Sequence, residues 1–76
     1  MTNKKKVKLQ SIKNTSEKDV LLFLKERGEC VYGEIIKELQ LSTTRGQEVI
    51  HSLVSQGFIK YVANSSRLKL DIDVKL

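Results

Sequence analysis

The chain has 76 residues, of which 39% are hydrophobic and 30% are charged. A chain of this length forms one small domain. It buries only about 60–65% of its surface on folding, so its stability margin is small. The longest uninterrupted apolar run, at 20–24, is far below the roughly 20 residues of a transmembrane helix. The single cysteine, Cys30, excludes an internal disulfide and a cysteine-rich zinc site. No apolar stretch follows the N-terminal lysines, so we expect no secretory signal and a soluble, intracellular protein.

The net charge is +5, from 14 Lys and Arg against 9 Asp and Glu, and the excess lies in residues 1–13. That segment has no acidic residue, and its five lysines are Lys4, Lys5, Lys6, Lys8 and Lys13. We therefore divide the chain into a basic, flexible arm at 1–13 and a neutral folded domain at 14–76. A basic arm either binds phosphates, because each neutralised phosphate releases counterions, or simply solubilises the chain.

A first helix is predicted at Glu17–Arg27, with Ser16 as its N-cap. Its apolar residues recur on one helical face, and Gly28 is a typical residue to follow a helix end. The next three residues, 29–31, are too few for a helix and too apolar for an exposed loop. We expect a brief strand there, with Cys30 filling the core as a small hydrophobic side chain.

Two further helices are predicted in the middle of the chain. The second covers Tyr32–Leu39, and the third is capped by Ser42 and ends at Gly57. The apolar residues of the third helix follow the helical spacing i, i+1, i+4, i+5, and they are Val49, Ile50, Leu53 and Val54. Only Gln40 and Leu41 separate the second helix from Ser42, the N-cap of the third helix. This spacing predicts a tight helix-turn-helix connection.

After Gly57 the hydrophobic period changes from 3.6 to 2. Residues 58–62 are rich in aromatic and β-branched side chains, and residues 67–76 alternate polar and apolar throughout. We predict a hairpin in which 58–62 pairs with about 68–72 across a turn at 64–66. The apolar residues beyond it, Val74 and Leu76, then need another surface, either the N-terminal segment through Val7 and Leu9 or a second subunit.

The order of helix, short strand, two helices and hairpin resembles the winged helix-turn-helix domains of many small transcription regulators. The resemblance covers about residues 16–72 and holds for the superfamily rather than for one protein. It is carried by the stretch Glu34-Ile35-Ile36-Lys37-Glu38-Leu39-Gln40-Leu41-Ser42, followed by Val49, Leu53 and Gly57-Phe58-Ile59. It implies an α+β fold with three helices, a short first strand and a C-terminal β-hairpin wing.

Three positions depart from the common pattern of this family. Ile36 stands where the second helix usually has a small alanine, and Gln40 stands where the turn often has glycine. Gly46 stands where the third helix usually buries valine or isoleucine. Ile36 and Gly46 both lie at the crossing of the two helices, so we expect Ile36 to pack over Gly46 and conserve the core volume.

The resemblance implies a non-enzymatic protein that binds duplex DNA, with the third helix in the major groove and the wing on the flanking backbone or minor groove. The implied DNA-binding residues are Ser42, Thr43, Thr44, Arg45, Gln47, His51, Lys60, Asn64, Ser65, Arg67 and Lys69. The arm lysines Lys4, Lys5, Lys6 and Lys8 would add phosphate contacts. An ordinary solvated helix face and a plain β-turn are the alternatives. Glu48 on the third helix favours the first of these because phosphates repel it.

The chief alternative function is a winged-helix adaptor that binds a protein partner or structured RNA. We expect no catalytic residue, cofactor or metal, because His51 stands alone and no nucleophile or carboxylate pair is evident. Tyr32 and Tyr61 are expected to pack against the domain rather than to stack on bases. We further expect a cytoplasmic protein without a membrane partner, nucleoid-associated if it binds DNA. A homodimer through the terminal strands would suit a two-fold DNA site.

Overall fold

The computed structural model describes residues 5–76, which form three α-helices, five short β-strands and one 3₁₀ turn, an α+β fold. The strands form two small sheets, of two and three strands. In chain order the elements are β1 (Lys5–Lys8), the 3₁₀ turn (Leu9–Ser11), α1 (Thr15–Arg27), β2 (Glu29–Val31), α2 (Tyr32–Glu38), α3 (Thr43–Ser55), β3 (Ile59–Tyr61), β4 (Arg67–Leu70) and β5 (Ile72–Lys75).

Helix α1 begins at Thr15, two residues before the predicted start. Its N-cap is Asn14, whose side-chain oxygen accepts a hydrogen bond from the Glu17 N–H at 3.2 Å. The predicted cap, Ser16, was therefore wrong and lies inside the first turn. The sequence does contain the correct signal, because asparagine followed three residues later by glutamate is a capping-box pattern. At the other end the prediction is confirmed, since Gly28 follows the helix with a positive φ of 89°.

The four-residue turn 39–42 joins α2 to α3, which confirms the predicted short connection. Both helices end in a Schellman motif, in which a residue with positive φ lets the chain bond back to the last carbonyls. After α3 this residue is Gly57, with a φ of 79°. After α2 it is Gln40, with a φ of 54°, and the Leu41 N–H donates to the Ile36 carbonyl at 3.0 Å. A residue with a side chain thus occupies a left-handed position, which glycine adopts without strain.

Replacing Gln40 by glycine is expected to raise the free energy of unfolding by about 0.5–1 kcal/mol. The left-handed conformation costs a side-chain-bearing residue about 1–2 kcal/mol, and the greater freedom of glycine in the unfolded chain offsets part of that gain. Urea unfolding of Gln40→Gly measures the change. Gln40→Ala is the control because it keeps the strain, and a glycine variant no more stable than the alanine variant would contradict the expectation.

The predicted contact between Ile36 and Gly46 is confirmed at the crossing of α2 and α3. A Cβ atom placed on Gly46 would overlap the Cδ1 atom of Ile36 and come within 3.1 Å of the Tyr32 hydroxyl. That hydroxyl donates a hydrogen bond to the Thr43 carbonyl at 3.2 Å, so it ties the first residue of α2 to the first residue of α3. The absence of a side chain at Gly46 therefore lets the two helices approach with Ile36 between them.

The three-stranded sheet has the order β2-β4-β3 and is antiparallel throughout. The brief strand predicted at 29–31 is confirmed as β2, and the predicted hairpin is confirmed as β3 and β4. The hairpin register differs by one residue from the expected one, since Tyr61 lies opposite Leu68 and Ile59 lies opposite Leu70. Leu68 is also opposite Cys30 of β2, and these two buried side chains face the helices.

The last ten residues do not form the single strand that their alternation predicts. The chain bends at Asp71, whose N–H donates to the Phe58 carbonyl at 2.8 Å, and β5 then leaves the first sheet. Strand β5 pairs in parallel with β1, with Val74 opposite Val7. The sequence offered two surfaces that could bury Val74, and the structure shows the first of them, the N-terminal segment of the same chain.

This pairing changes the picture of the basic arm. Residues 5–8 form β1, and Val7 and Ile12 belong to the hydrophobic core, so the folded unit extends across the expected boundary at residue 14. Lys5, Lys6 and Lys8 are the other three residues of β1, and all are exposed. Lys4, the other residue expected to contact phosphates from the arm, lies outside the described residues.

The core lies between the helices and the three-stranded sheet. Its largest fully buried side chains are Leu21, Leu24, Ile35, Leu53, Ile59, Leu68 and Val20. Cys30 is buried with them, as predicted. Burial, and secondarily the Glu34 carboxylate, raises the pKa of the Cys30 thiol despite the opposing charge of Arg27. The thiol therefore stays protonated at neutral pH, as a packing group does. Within residues 5–76, no helix is long and apolar enough to cross a membrane.

Candidate nucleic-acid interface

The start of α3 is held by its N-cap. Ser42 Oγ accepts a hydrogen bond from the Arg45 N–H at 3.1 Å, and the Ser42 carbonyl accepts one from the Gly46 N–H at 2.8 Å. The predicted capping role of Ser42 is thus confirmed, and its hydroxyl oxygen is engaged within the helix. The N–H groups of Thr43 and Thr44 belong to the first turn, where backbone donors have no partner inside a helix. They point toward any anion placed at this end.

One exposed stripe of α3 carries polar side chains of the predicted interface. Thr43, Gln47 and His51 are spaced at i, i+4 and i+8, so they lie above one another on one face. All three are exposed, as are Thr44, Arg45 and Glu48 beside them. The inward side of the helix is apolar and buried. The helix therefore presents amides, hydroxyls, an imidazole and one guanidinium, with one carboxylate among them.

The turn between β3 and β4 is fixed by its own side chains. Asn64 has a positive φ of 61°, which asparagine tolerates better than most residues. Ser65 Oγ donates to the Val62 carbonyl and accepts from the Arg67 N–H, each at 3.2 Å. The two expected wing contacts Asn64 and Ser65 are both exposed. Serine and asparagine thus shape this tip and leave it polar and without acidic residues.

The basic residues of the hairpin lie on the sheet face that points away from the helices. Side chains alternate between faces along a strand, and Leu68 and Leu70 of β4 face inward. Arg67 and Lys69 therefore face outward, and Lys60 lies directly opposite Lys69 on the same face. The structure thus groups these three cations with one another rather than with the exposed stripe of α3.

Two of these cations are already paired with carboxylates. Arg67 Nη1 is 3.9 Å from Glu29 Oε1, and Lys60 Nζ is 3.4 Å from Asp71 Oδ1, with all four side chains between 41% and 62% exposed. Our sequence predictions missed these partners. The β2–β4 register brings Glu29 beside the hairpin, and the bend after β4 brings Asp71 beside Lys60. The alternation of charges along β4 and β5 contained no information about partners on β2.

The β1 lysines belong to a different part of the molecule. Strand β5 follows β4 after only Asp71, at the end of β4 opposite to the 62–66 turn, and β1 pairs with β5. Lys5, Lys6 and Lys8 are therefore attached at the far end of the hairpin from Asn64 and Ser65. The topology does not place them beside the turn as a common phosphate-binding cluster.

A groove of about 150 Å³ joins α3 to β3, on the inward side of the hairpin. We call it the tyrosine groove, and it is lined by Tyr32, Gln47, Ile50, His51, Val54 and Tyr61. Our prediction for Tyr61 was wrong, because 53% of this residue is exposed. Leu68, which lies opposite Tyr61 in the hairpin, is fully buried. Tyr61 itself is the last residue of β3, and its ring lines the groove with Gln47 and His51.

In the described part of the chain, no group of three His, Cys, Asp or Glu side chains could hold a metal ion. The polar groups assembled by the structure are instead those of the α3 stripe, the 62–66 turn and the tyrosine groove between them. Such groups can bind phosphates, base edges or a polar protein surface. Comparison of the chain with protein-family models, curated proteins and solved structures finds no match in any of the three.

Proposed function

We propose that this protein is a winged helix-turn-helix domain that binds duplex DNA as a small transcriptional regulator. Helix α3 would lie in the major groove, with Thr43, Thr44, Arg45, Gln47 and His51 toward bases and phosphates. The 62–66 turn would act as the wing on the flanking backbone or minor groove. Ser42 would mainly cap α3, and Lys60, Lys69 and the β1 lysines would contribute long-range attraction.

The observation that carries this proposal is the shared border of α3 and the hairpin. Gln47 and His51 of α3 and Tyr61 of β3 line one groove, so the exposed stripe and the hairpin form one continuous surface. The β2-β4-β3 order pairs the hairpin with β2, the short strand predicted at 29–31. A helix with polar side chains flanked by a hairpin turn matches the shape of a major groove and its adjacent backbone.

The ion pairs on the outward sheet face are compatible with DNA binding. Exposed pairs of this kind contribute only about 0–1 kcal/mol each. Arg67 can therefore exchange the Glu29 carboxylate for a phosphate at little cost. Glu29 then acts as a competitor for the same guanidinium, and its removal provides a test that gains rather than loses binding.

We expect random-sequence duplex DNA to bind the full chain at micromolar concentration, measured by fluorescence anisotropy at several salt concentrations. Four to six phosphate contacts give a log–log salt slope of about −4 to −5, and Arg45→Gln should reduce its magnitude by about 1. Glu29→Gln should strengthen binding because it frees Arg67.

The matched control is Glu26→Gln, which makes the same charge change on α1. Glu26 lines a groove with Leu39 and does not lie beside the hairpin. If Glu26→Gln strengthens binding as much as Glu29→Gln does, only the net charge of the chain matters and the wing has no role. Failure of the full chain to bind duplex DNA at low salt would reject the proposal.

The second candidate is an adaptor for a protein or structured RNA. It is favoured by the carboxylates that occupy Arg67 and Lys60 and by the exposed Glu48 on the α3 face. A homodimer through the terminal strands also remains a proposal. Only the exposure of Leu76, which is 76%, now supports this homodimer, because β1 covers Val74.

A further inference from the structure

The tyrosine groove has the composition of a site for a flat, polar-edged ring. Its floor is apolar, with the buried Ile50 and the half-buried Val54. The Tyr32 hydroxyl is hydrogen-bonded to the Thr43 carbonyl, which fixes that ring, while the exposed Tyr61 ring also lines the groove. A volume of about 150 Å³ accommodates one aromatic ring, as apolar cavities of similar size do.

The rim of the groove adds hydrogen-bonding groups without adding negative charge. Gln47 offers both a donor and an acceptor, and the His51 ring offers one of each when it is neutral. Both are exposed, and no carboxylate lines the groove. A ligand with a planar ring and a hydrogen-bonding edge fits this set better than an acidic peptide does.

We propose that the tyrosine groove takes one unstacked nucleobase, with Tyr61 as the stacking face and Gln47 and His51 on the base edge. The proposal rests on the DNA-binding function, which would place a phosphate backbone along α3 and the 62–66 turn. A base inside a regular duplex is stacked and cannot enter, so the ligand is a strand with an unpaired base, in a hairpin loop, a mismatch or a single-stranded end.

The test compares a DNA hairpin carrying 2-aminopurine in its loop with a fully paired duplex of the same stem sequence. Stacking on an aromatic side chain should make the hairpin bind about 5- to 100-fold more tightly than the duplex. It should also quench the 2-aminopurine emission. Both tyrosines of the chain line the groove, so the tyrosine ring signals in an NMR spectrum report on this site alone. These signals should shift with the hairpin more than with the duplex.

Two variants at Tyr61 separate stacking from folding. Tyr61→Phe keeps the ring and should retain the hairpin preference, while Tyr61→Leu should lose it, so that the hairpin and the duplex bind with equal affinity. Because the side chain is exposed, neither change should alter the fold, which circular dichroism checks.

Each outcome has one meaning for the two proposals. A Tyr61→Leu variant that still prefers the hairpin overturns the nucleobase site and leaves duplex binding intact. Binding of the hairpin with no binding of the duplex supports the nucleobase site and rejects the duplex-binding function. Binding of neither DNA overturns both.

Discussion

Deletion of residues 1–13 is expected to lower the free energy of unfolding by about 2–4 kcal/mol, a large share of the stability of so small a domain. The deletion removes β1 and with it the buried side chains of Val7 and Ile12. It also uncovers Ile72 and Val74 of β5, which are 3% and 2% exposed in the intact chain. Burial of one such side chain contributes about 1.5–3 kcal/mol, and the ordering entropy of the deleted residues offsets part of the sum.

Thermal and urea unfolding of the 14–76 fragment and the full chain measure this effect. The matched control is the full chain with Lys5, Lys6 and Lys8 replaced by glutamine, which removes the charges and keeps the strand. Its stability should stay within about 1 kcal/mol of the original, since surface substitutions rarely do more. A third variant, Val7→Asp, keeps the chain length but places a charge opposite Val74, and it should be destabilised like the fragment.

A fragment that melts within a few degrees of the full chain would show that β1 contributes little to the fold. The expected result has a practical consequence for the DNA experiments. Loss of DNA binding on truncation would reflect loss of structure as much as loss of charge. The contribution of Lys5, Lys6 and Lys8 to affinity must therefore be measured in the glutamine variant.

The helix boundaries were predictable because their signals are local. Ser42 and Gly57 mark the ends of α3 through hydrogen bonds to residues within five positions, and a short window of sequence contains both partners. The pairing of β1 with β5 has no such signal, because it joins Lys5–Lys8 to residues near the other end of the chain. A four-residue strand with three lysines and one valine also resembles a solvated tail. The sequence could therefore name the N-terminal segment only as one of two surfaces for Val74, and the structure decided between them.

The candidate site divides along the same line. The exposed face of α3 follows from helical periodicity, and the structure confirms that Thr43, Gln47 and His51 are exposed. The ion pair of Arg67 with Glu29 depends on the β2–β4 register, which no turn residue determines, because two helices and β3 separate β2 from β4. The exposure of Tyr61 depends on where β3 ends relative to α3. Tertiary register, rather than residue type, decided these features.

Gly46→Val is expected to lower the free energy of unfolding by about 1–3 kcal/mol, although valine is the better helix former of the two. The first added carbon already overlaps Ile36 Cδ1, and the valine methyl groups extend further into the same space. The half-buried Ile36 can move aside only by exposing apolar surface. The added carbon also comes within 3.1 Å of the Tyr32 hydroxyl, so its hydrogen bond to the Thr43 carbonyl should weaken.

Ile36→Ala supplies the control, because it removes the atoms that the valine would overlap. Alone, this change should cost about 1–2 kcal/mol, less than a fully buried isoleucine would, since Ile36 is only half-buried. Together, Gly46→Val and Ile36→Ala recreate the alanine and valine pair common in the helix-turn-helix family. The double variant should therefore be more stable than the sum of the two single changes predicts, by about 1–2 kcal/mol.

Urea unfolding of the original chain, both single variants and the double variant completes a thermodynamic cycle. A favourable coupling energy would mean that the large side chain can stand at either position 36 or position 46, provided that the other residue is small. The volume at the crossing of α2 and α3 would then be conserved. Strict additivity would mean that the cost of the valine does not come from its overlap with Ile36, which would contradict the expectation.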